Sequence, residues 1–135
     1  MFSRRVIGWA MRETMPQELT IAALKMAITQ RLPGPGLVHH SNRGQYAAHA
    51  YRHLLDQNSI RCSMSRKGNC WDNAPMESFF GRMKTELDHS VVFQTRPEAK
   101  GAVFSFIEGF YNRQRLHSAI GYPSPVQWKQ IAAAA

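Results

Sequence analysis

The tetrapeptide "PGPG" at residues 33–36 constrains the fold more than any other stretch of the chain. Neither a helix nor a strand runs through alternating proline and glycine, so the elements on its two sides are separate. Before it, Leu19, Ile21, Ala22, Leu24, Met26, Ala27 and Ile28 recur at helical spacing and give a broad apolar face up to Leu32. Thr14 is placed to start that helix, with Gln17 as its capping-box partner and Pro16 tolerated in the first turn. After it, residues 37–40, "LVHH", read as a short buried strand running into a polar turn, and "RRVIGWAM" at 4–11 also has strand composition.

The alternation continues. Ala47, Ala50, Tyr51, Leu54 and Leu55 predict a helix from about Tyr46 to Gln57, and "SIRCSMS" at 59–65 sets Ile60, Cys62 and Met64 against polar neighbours as a half-buried strand would. The loop "RKGNCWDNA" leads into a helix opened by Pro75 and running to about Leu87, with Phe79, Phe80 and Met83 as its buried face. Thr95 with Glu98 caps a further helix, with Pro97 near its start and Ala102, Val103, Phe106, Ile107 and Phe110 as its core stripe. The end, "YNRQRLHSAIGYPSPVQW", is proline-rich and polar. The order strand, helix, strand, helix, strand, helix, helix predicts an α/β class, without internal repeats.

A chain of 135 residues with 44% apolar content suits one ordinary domain. Seventeen Lys and Arg against nine Asp and Glu leave a formal charge of +8, which favours a polyanionic partner. Twelve of the seventeen are arginine, whose planar guanidinium suits phosphate. Cys62 and Cys70 make no disulfide framework and no C-x-x-C pair, so a reducing cytoplasm is the expected location. Arg4 and Arg5 precede an apolar run, but Val6–Met11 is only six residues, shorter than the core of a signal peptide. Nothing downstream is long enough to span a membrane, so a soluble protein is expected.

Several groups of residues carry possible chemistry. Metal chemistry on phosphates usually places an aspartate at a strand end, because a hard cation wants anionic oxygen, yet "HHSNRG" has Asn42 there. Glu77, Ser78, Gly81 and Lys84 share a helix face, so a carboxylate and a lysine seven residues apart are placed to hold a metal and a DNA phosphate side by side. From spacing alone, the simpler reading is that Glu77 favours the positive helix N-terminus electrostatically. His49 and His53, four apart, can face one ion, but the residues between them do not make H-E-x-x-H and the cysteines fall outside zinc spacing. Of His39 and His40, which alternate across a strand, at most one faces a site. Cys70 lies near Arg66 and Lys67 without a sequence-adjacent histidine to make it a nucleophile. "RKGNCW" and "YNRQRLH" mix bases with aromatics, as a phosphate-contacting surface does.

Taken together, "SRRVIGWAM", "GPGLVHHSNRGQY", "IRCSMSRKGNCWDNAPMESFFGRMKTEL" and "FIEGFYNRQRLHSAIGYPSP" closely resemble the second-frame transposase of a large class of bacterial insertion sequences. The resemblance covers residues 2–128 and implies an integrase catalytic core with a ribonuclease H-like fold over 1–128, lacking its first two strands, followed by a tail at 129–135. In that family two aspartates and a glutamate hold two Mg²⁺ or Mn²⁺ ions, one activating the nucleophile and one stabilising the leaving oxygen during DNA strand transfer. By resemblance, Glu77 is the glutamate and metal ligand, and Asn42 stands at the second aspartate, where the family pattern reads His-Ser-Asp-Arg-Gly-Ser-Gln-Tyr. Lys84 matches a position that approaches donor DNA. Arg43, Lys67, Arg82, Arg113 and Arg115 are expected to join it in contacting transposon ends and target DNA.

Three departures from the family pattern shape the expectations. Asn42 offers a neutral carbonyl where two dications need an anion. A serine is missing between Gly44 and Gln45, so 34 residues separate Asn42 from Glu77, one fewer than in the family. The segment before "MFSRRV", which in the family carries the first aspartate on a central strand, is absent from this sequence. The resemblance therefore implies a catalytically dead core fragment. Its strands at 4–11 and 37–40 are left to pair with each other, to expose an edge, or to accept a strand from an intact transposase or another copy. A DNA-binding or oligomer-joining regulatory remnant and a poorly folding decayed product are the competing expectations.

Overall fold

The proline–glycine tetrapeptide ends a helix, as its chemistry requires. In a computed structural model of the chain, which describes residues 3–14, 17–42, 44, 48–65, 73–87 and 92–135, helix α1 spans Gln17–Arg31. Leu32 turns to φ 45° while its N–H still donates to the Ile28 carbonyl at 2.8 Å, and residues 33–37 carry the chain to strand β1, Val38–Ser41. Helix α2, His49–Gln57, then crosses to strand β2, Arg61–Met64. The two strands pair in parallel, Val38 opposite Arg61 and Ser41 opposite Met64, which is why a helix rather than a tight turn joins them. Ser59, at φ 54°, closes α2 into β2, with Ser59 N–H on Asp56 O and Ile60 N–H on Leu55 O, both at 3.0 Å.

Two compact units divide the chain, Ile7–Arg82 and Met1–Val6 with Met83–Ala135. In the first, Leu24 of α1, Tyr51 and Leu55 of α2, and Ile60 form the core, with Ile21, Ile28, Ala48 and Leu54 packed against it. Burial of each of these large side chains contributes roughly 1.5–3 kcal/mol, which holds α1 and α2 together more firmly than helix propensity does. Gly8 lies directly against α1. A Cβ there would sit 2.8 Å from Ala27 Cβ and 2.9 Å from Ala27 N, and would collide with Ala23 O. Helix α3, Ala74–Glu86, begins in this unit, with Phe79 buried and stacked edge-on to Phe80 at 5.2 Å.

Four expectations need correction. Residues 4–11 are not a strand and do not pair with 37–40; β2 is the only strand partner of β1 among the described residues. A strand exists only with a neighbour, and Val6 finds its partner in a side chain instead: its N–H donates to Asn112 Oδ1 and its carbonyl accepts from Asn112 Nδ2, both at 2.9 Å. The strand expected to be buried at 37–40 is largely exposed, with Leu37 at 44% and Val38 at 53%, as befits a sheet of two strands. In β2 the alternation of burial fails, since Cys62 is exposed while the following Ser65 is buried. Phe80, expected in the buried face of α3, is 46% exposed.

The second unit holds the end of α3, helix α4 (Arg96–Phe104), a wider π-helical continuation at Ser105–Tyr111, a short 3₁₀ turn at Ser118–Ile120 and helix α5 (Pro125–Ala134). Thr95 caps α4 as expected, its hydroxyl accepting from Glu98 N–H at 3.3 Å, but the Glu98 carboxylate reaches back to Gln94 N–H at 2.8 Å instead of to the cap residue itself. The π turn changes which residues meet the core. Ordinary helical spacing carries Phe106 to Phe110; the i to i+5 bond from Asn112 N–H to Ile107 O inserts a residue and brings Tyr111 round instead. Phe106, Ile107, Tyr111 and Asn112 are accordingly buried, whereas Phe110 from the expected stripe is 39% exposed.

The C-terminal stretch, read from sequence only as proline-rich and polar, contains α5. Its N-terminus is a complete capping box, in which Ser124 Oγ accepts from Gln127 N–H and Gln127 Oε1 accepts from Ser124 N–H at 2.8 Å, with Pro125 at the first helical position. That signal, S-P-x-Q, was present in the sequence. Gly121, at φ 80°, ends the preceding 3₁₀ turn in the left-handed conformation that glycine adopts without strain.

Candidate nucleic-acid and metal site

Asn42 directly follows β1, and Glu77 sits in the first turn of α3; both are exposed. The elements that carry them are laced together at the strand ends. Ser65 N–H donates to Ser41 O at 2.9 Å, extending the parallel ladder one step past β2. His40 lies between two serines, with Nδ1 3.0 Å from Ser63 Oγ and Nε2 3.1 Å from Ser65 Oγ. Ser65 Oγ in turn donates to Asn73 Oδ1 at 3.2 Å, at the entry to α3. The Ser65 hydroxyl also lies 3.4 Å from the Ser41 carbonyl, so the tautomer of His40 sets which partner donates in each of these contacts. One side-chain chain thus runs from β1 through β2 to the residue just before the helix that bears Glu77.

On the opposite face of β1, His39 Nε2 meets the Tyr51 hydroxyl at 2.9 Å, the rings tilted at 48°. Burial, and then the neighbouring His40, hold the His39 imidazole below its ordinary pKa. It is a neutral, structural histidine tying β1 to α2. His40 is the histidine that serves the strand end, and sequence alternation had separated the two without saying which was which.

The expected phosphate-contacting residues are spread over both units. Arg82 and Lys84 are exposed near the end of α3, and Arg113 is exposed after the π turn. Arg43 and Lys67 lie outside the described residues. Arg115 is half-buried and already engaged: Nε donates to both Glu86 carboxylate oxygens at 3.0 Å and Nη2 to Oε1 at 2.9 Å, with the guanidinium 5.9 Å from the Tyr111 ring centre. His117 packs edge-on against the same tyrosine at 5.0 Å. Its pKa is lowered, first by burial and then by the Arg115 and Arg4 charges, while burial raises that of Tyr111.

Among the described residues no group of three His, Cys, Asp or Glu side chains is placed to hold an ion, and the Asn42 amide brings no negative charge to the strand end. Nor is any described helix long and apolar enough to cross a membrane.

Two family profiles described as "Integrase core domain" match, one over residues 1–70 and one over 58–125. The chain is similar to the uncharacterized 31 kDa protein of insertion element IS600 from Shigella sonnei, at 47% identity over 130 residues, covering 96% of this chain and 48% of that one. It is also similar to the transposase for insertion sequence element IS904 from Lactococcus lactis, at 41% identity, covering 51% of it. Transposase InsF for insertion sequence IS3A from Escherichia coli is 42% identical, with 45% of its length covered. The chain thus spans about half the length of the curated relatives it matches. Among solved structures, a chain of the simian T-cell lymphotropic virus intasome in complex with the PP2A regulatory subunit B56 gamma has the same fold, with a TM-score of 0.66 at 16% identity over 87% of this chain and 41% of that chain.

Proposed function

The chain belongs to the integrase core domain family, and from that premise we propose that it is a transposase core segment that engages DNA but, as these 135 residues stand, performs no strand transfer of its own. The observation that carries the reading is Asn42 directly after β1, the strand whose His40 is linked through Ser65 and Asn73 to the start of the helix bearing Glu77. In this reading Asn42 occupies the place of the second aspartate and Glu77 that of the glutamate. Mg²⁺ or Mn²⁺ is the cofactor of the family reaction. With a neutral amide where the second aspartate stands in the family, the ions lose an anionic oxygen they need, so no catalytic step is assigned to them.

What remains is charge. Lys84, Arg82 and Arg113 are exposed and the formal charge is +8, which supports binding to the phosphates of transposon ends or target DNA. Arg43, Lys67 and Arg115 are further candidates for phosphate contact, Arg115 with its guanidinium already on Glu86. A second, regulatory reading is favoured by β1, whose Val38 and the preceding Leu37 are exposed and which has one strand partner among the described residues, a template for joining an intact transposase or another copy. The test combines gel shifts on transposon-end DNA across a salt series with a strand-transfer assay in Mn²⁺. Salt-weakened binding without product supports the proposal; no binding even at low salt refutes the DNA part, and product abolished by Glu77→Gln refutes the inactive part.

A further inference from the structure

Helix α2 carries a cluster on its exposed face that the DNA reading leaves unused. His49 and His53 lie one turn apart, their ring centres separated by 6.3 Å and their planes within 12° of parallel. With Arg52 and Asp56 they line one surface hollow of about 240 Å³. All four are exposed, and none is an apolar residue that would recruit a hydrophobic ligand.

The chemistry of the lining selects among ligands. An anion would be drawn by Arg52 and opposed by Asp56 in the same hollow. For a cation the two charges offset each other, and what is left is a pair of imidazoles whose edges face one side of a helix. Neutral imidazole nitrogen is a good donor for borderline transition ions and a poor one for hard Mg²⁺, and the i, i+4 spacing is the one that lets two histidines on a helix share an ion. We propose that His49 and His53 form a two-imidazole chelate for a divalent transition ion of the Ni²⁺, Cu²⁺ and Zn²⁺ class, with water in the remaining coordination positions. Since no three ligand-type side chains converge among the described residues, the protein supplies two ligands and the site stays open. The site is unrelated to Asn42 and Glu77 and does not depend on the transposase reading.

Calorimetric titration of the full 135-residue chain with NiCl₂ near neutral pH, repeated with MgCl₂, tests the proposal. The expected result is saturable Ni²⁺ binding at one ion per chain, lost in the His49→Gln/His53→Gln double variant and weakened in each single variant, with no comparable Mg²⁺ binding. Unchanged Ni²⁺ binding in the double variant would assign the ion to other groups such as His40 or Cys62 and overturn the proposal, as would the absence of saturable binding by the natural chain. Both positions are solvent-exposed, and circular dichroism of the double variant checks that its fold is intact.

Discussion

Asn112 is the residue on which the N-terminal segment depends. It is 1% exposed, and its amide completes both backbone groups of Val6 at 2.9 Å while also donating to Glu108 Oε2 at 3.3 Å. Asn112→Ala removes two well-formed hydrogen bonds and leaves a part-buried N–H and C=O without partners. At about 1 kcal/mol for each bond, with a further desolvation penalty for orphaned groups, the expected loss is about 2–4 kcal/mol. Asn112→Asp keeps the acceptor for Val6 N–H but loses the donor and sets a second carboxylate beside Glu108, so it is expected to be at least as damaging at neutral pH and milder in acid. Urea denaturation measures the loss, and trypsin reports where it occurs, since release of the segment exposes Arg4 and Arg5 to cleavage before global unfolding. A variant within about 0.5 kcal/mol of the natural chain, with cleavage at Arg4 and Arg5 no faster, would refute the reasoning.

Two further outcomes follow from local chemistry. Ser124→Ala removes a fully buried cap from α5 and is expected to cost about 1–2 kcal/mol and to lower the helical circular dichroism signal; an unchanged signal and midpoint would show that α5 does not need its cap. Burial, then His40, depress the His39 pKa, so the unfolded chain takes up that proton first. Stability is therefore full above the ordinary imidazole pKa of about 6.5 and falls as the pH drops through it toward the lower folded value. His117 acts with the same sign in the other unit. Thermal melts between about pH 7.5 and 5.5 are expected to show a falling midpoint, with a smaller fall in His39→Gln; a flat profile would contradict the assignment.

Much of the architecture is local and was therefore legible in the sequence. Residues 33–36 end α1, Pro75 lies in the first turn of α3 and Thr95 caps α4 because backbone sterics and capping bonds act within a few residues. The strand end carrying Asn42 and the helix turn carrying Glu77 were legible for the same reason, as was the α/β class. The S-P-x-Q start of α5 was equally local and was obscured only by the prolines around it.

What tertiary structure alone decided is every matter of partnership. Residues 4–11 have strand composition but are no strand, because the neighbour that Val6 found is a side chain 106 positions away. The inserted π turn moved burial from Phe110 to Tyr111 and Asn112, a change of one residue in helical phase that hydrophobic spacing does not encode. The His40, Ser63, Ser65 and Asn73 chain exists only in the parallel register that sets His40 opposite Ser63. Composition and spacing determine which residues can form helices, strands and caps; which strand finds a neighbour, and which polar group finds a partner, is settled by contacts between residues far apart in the chain.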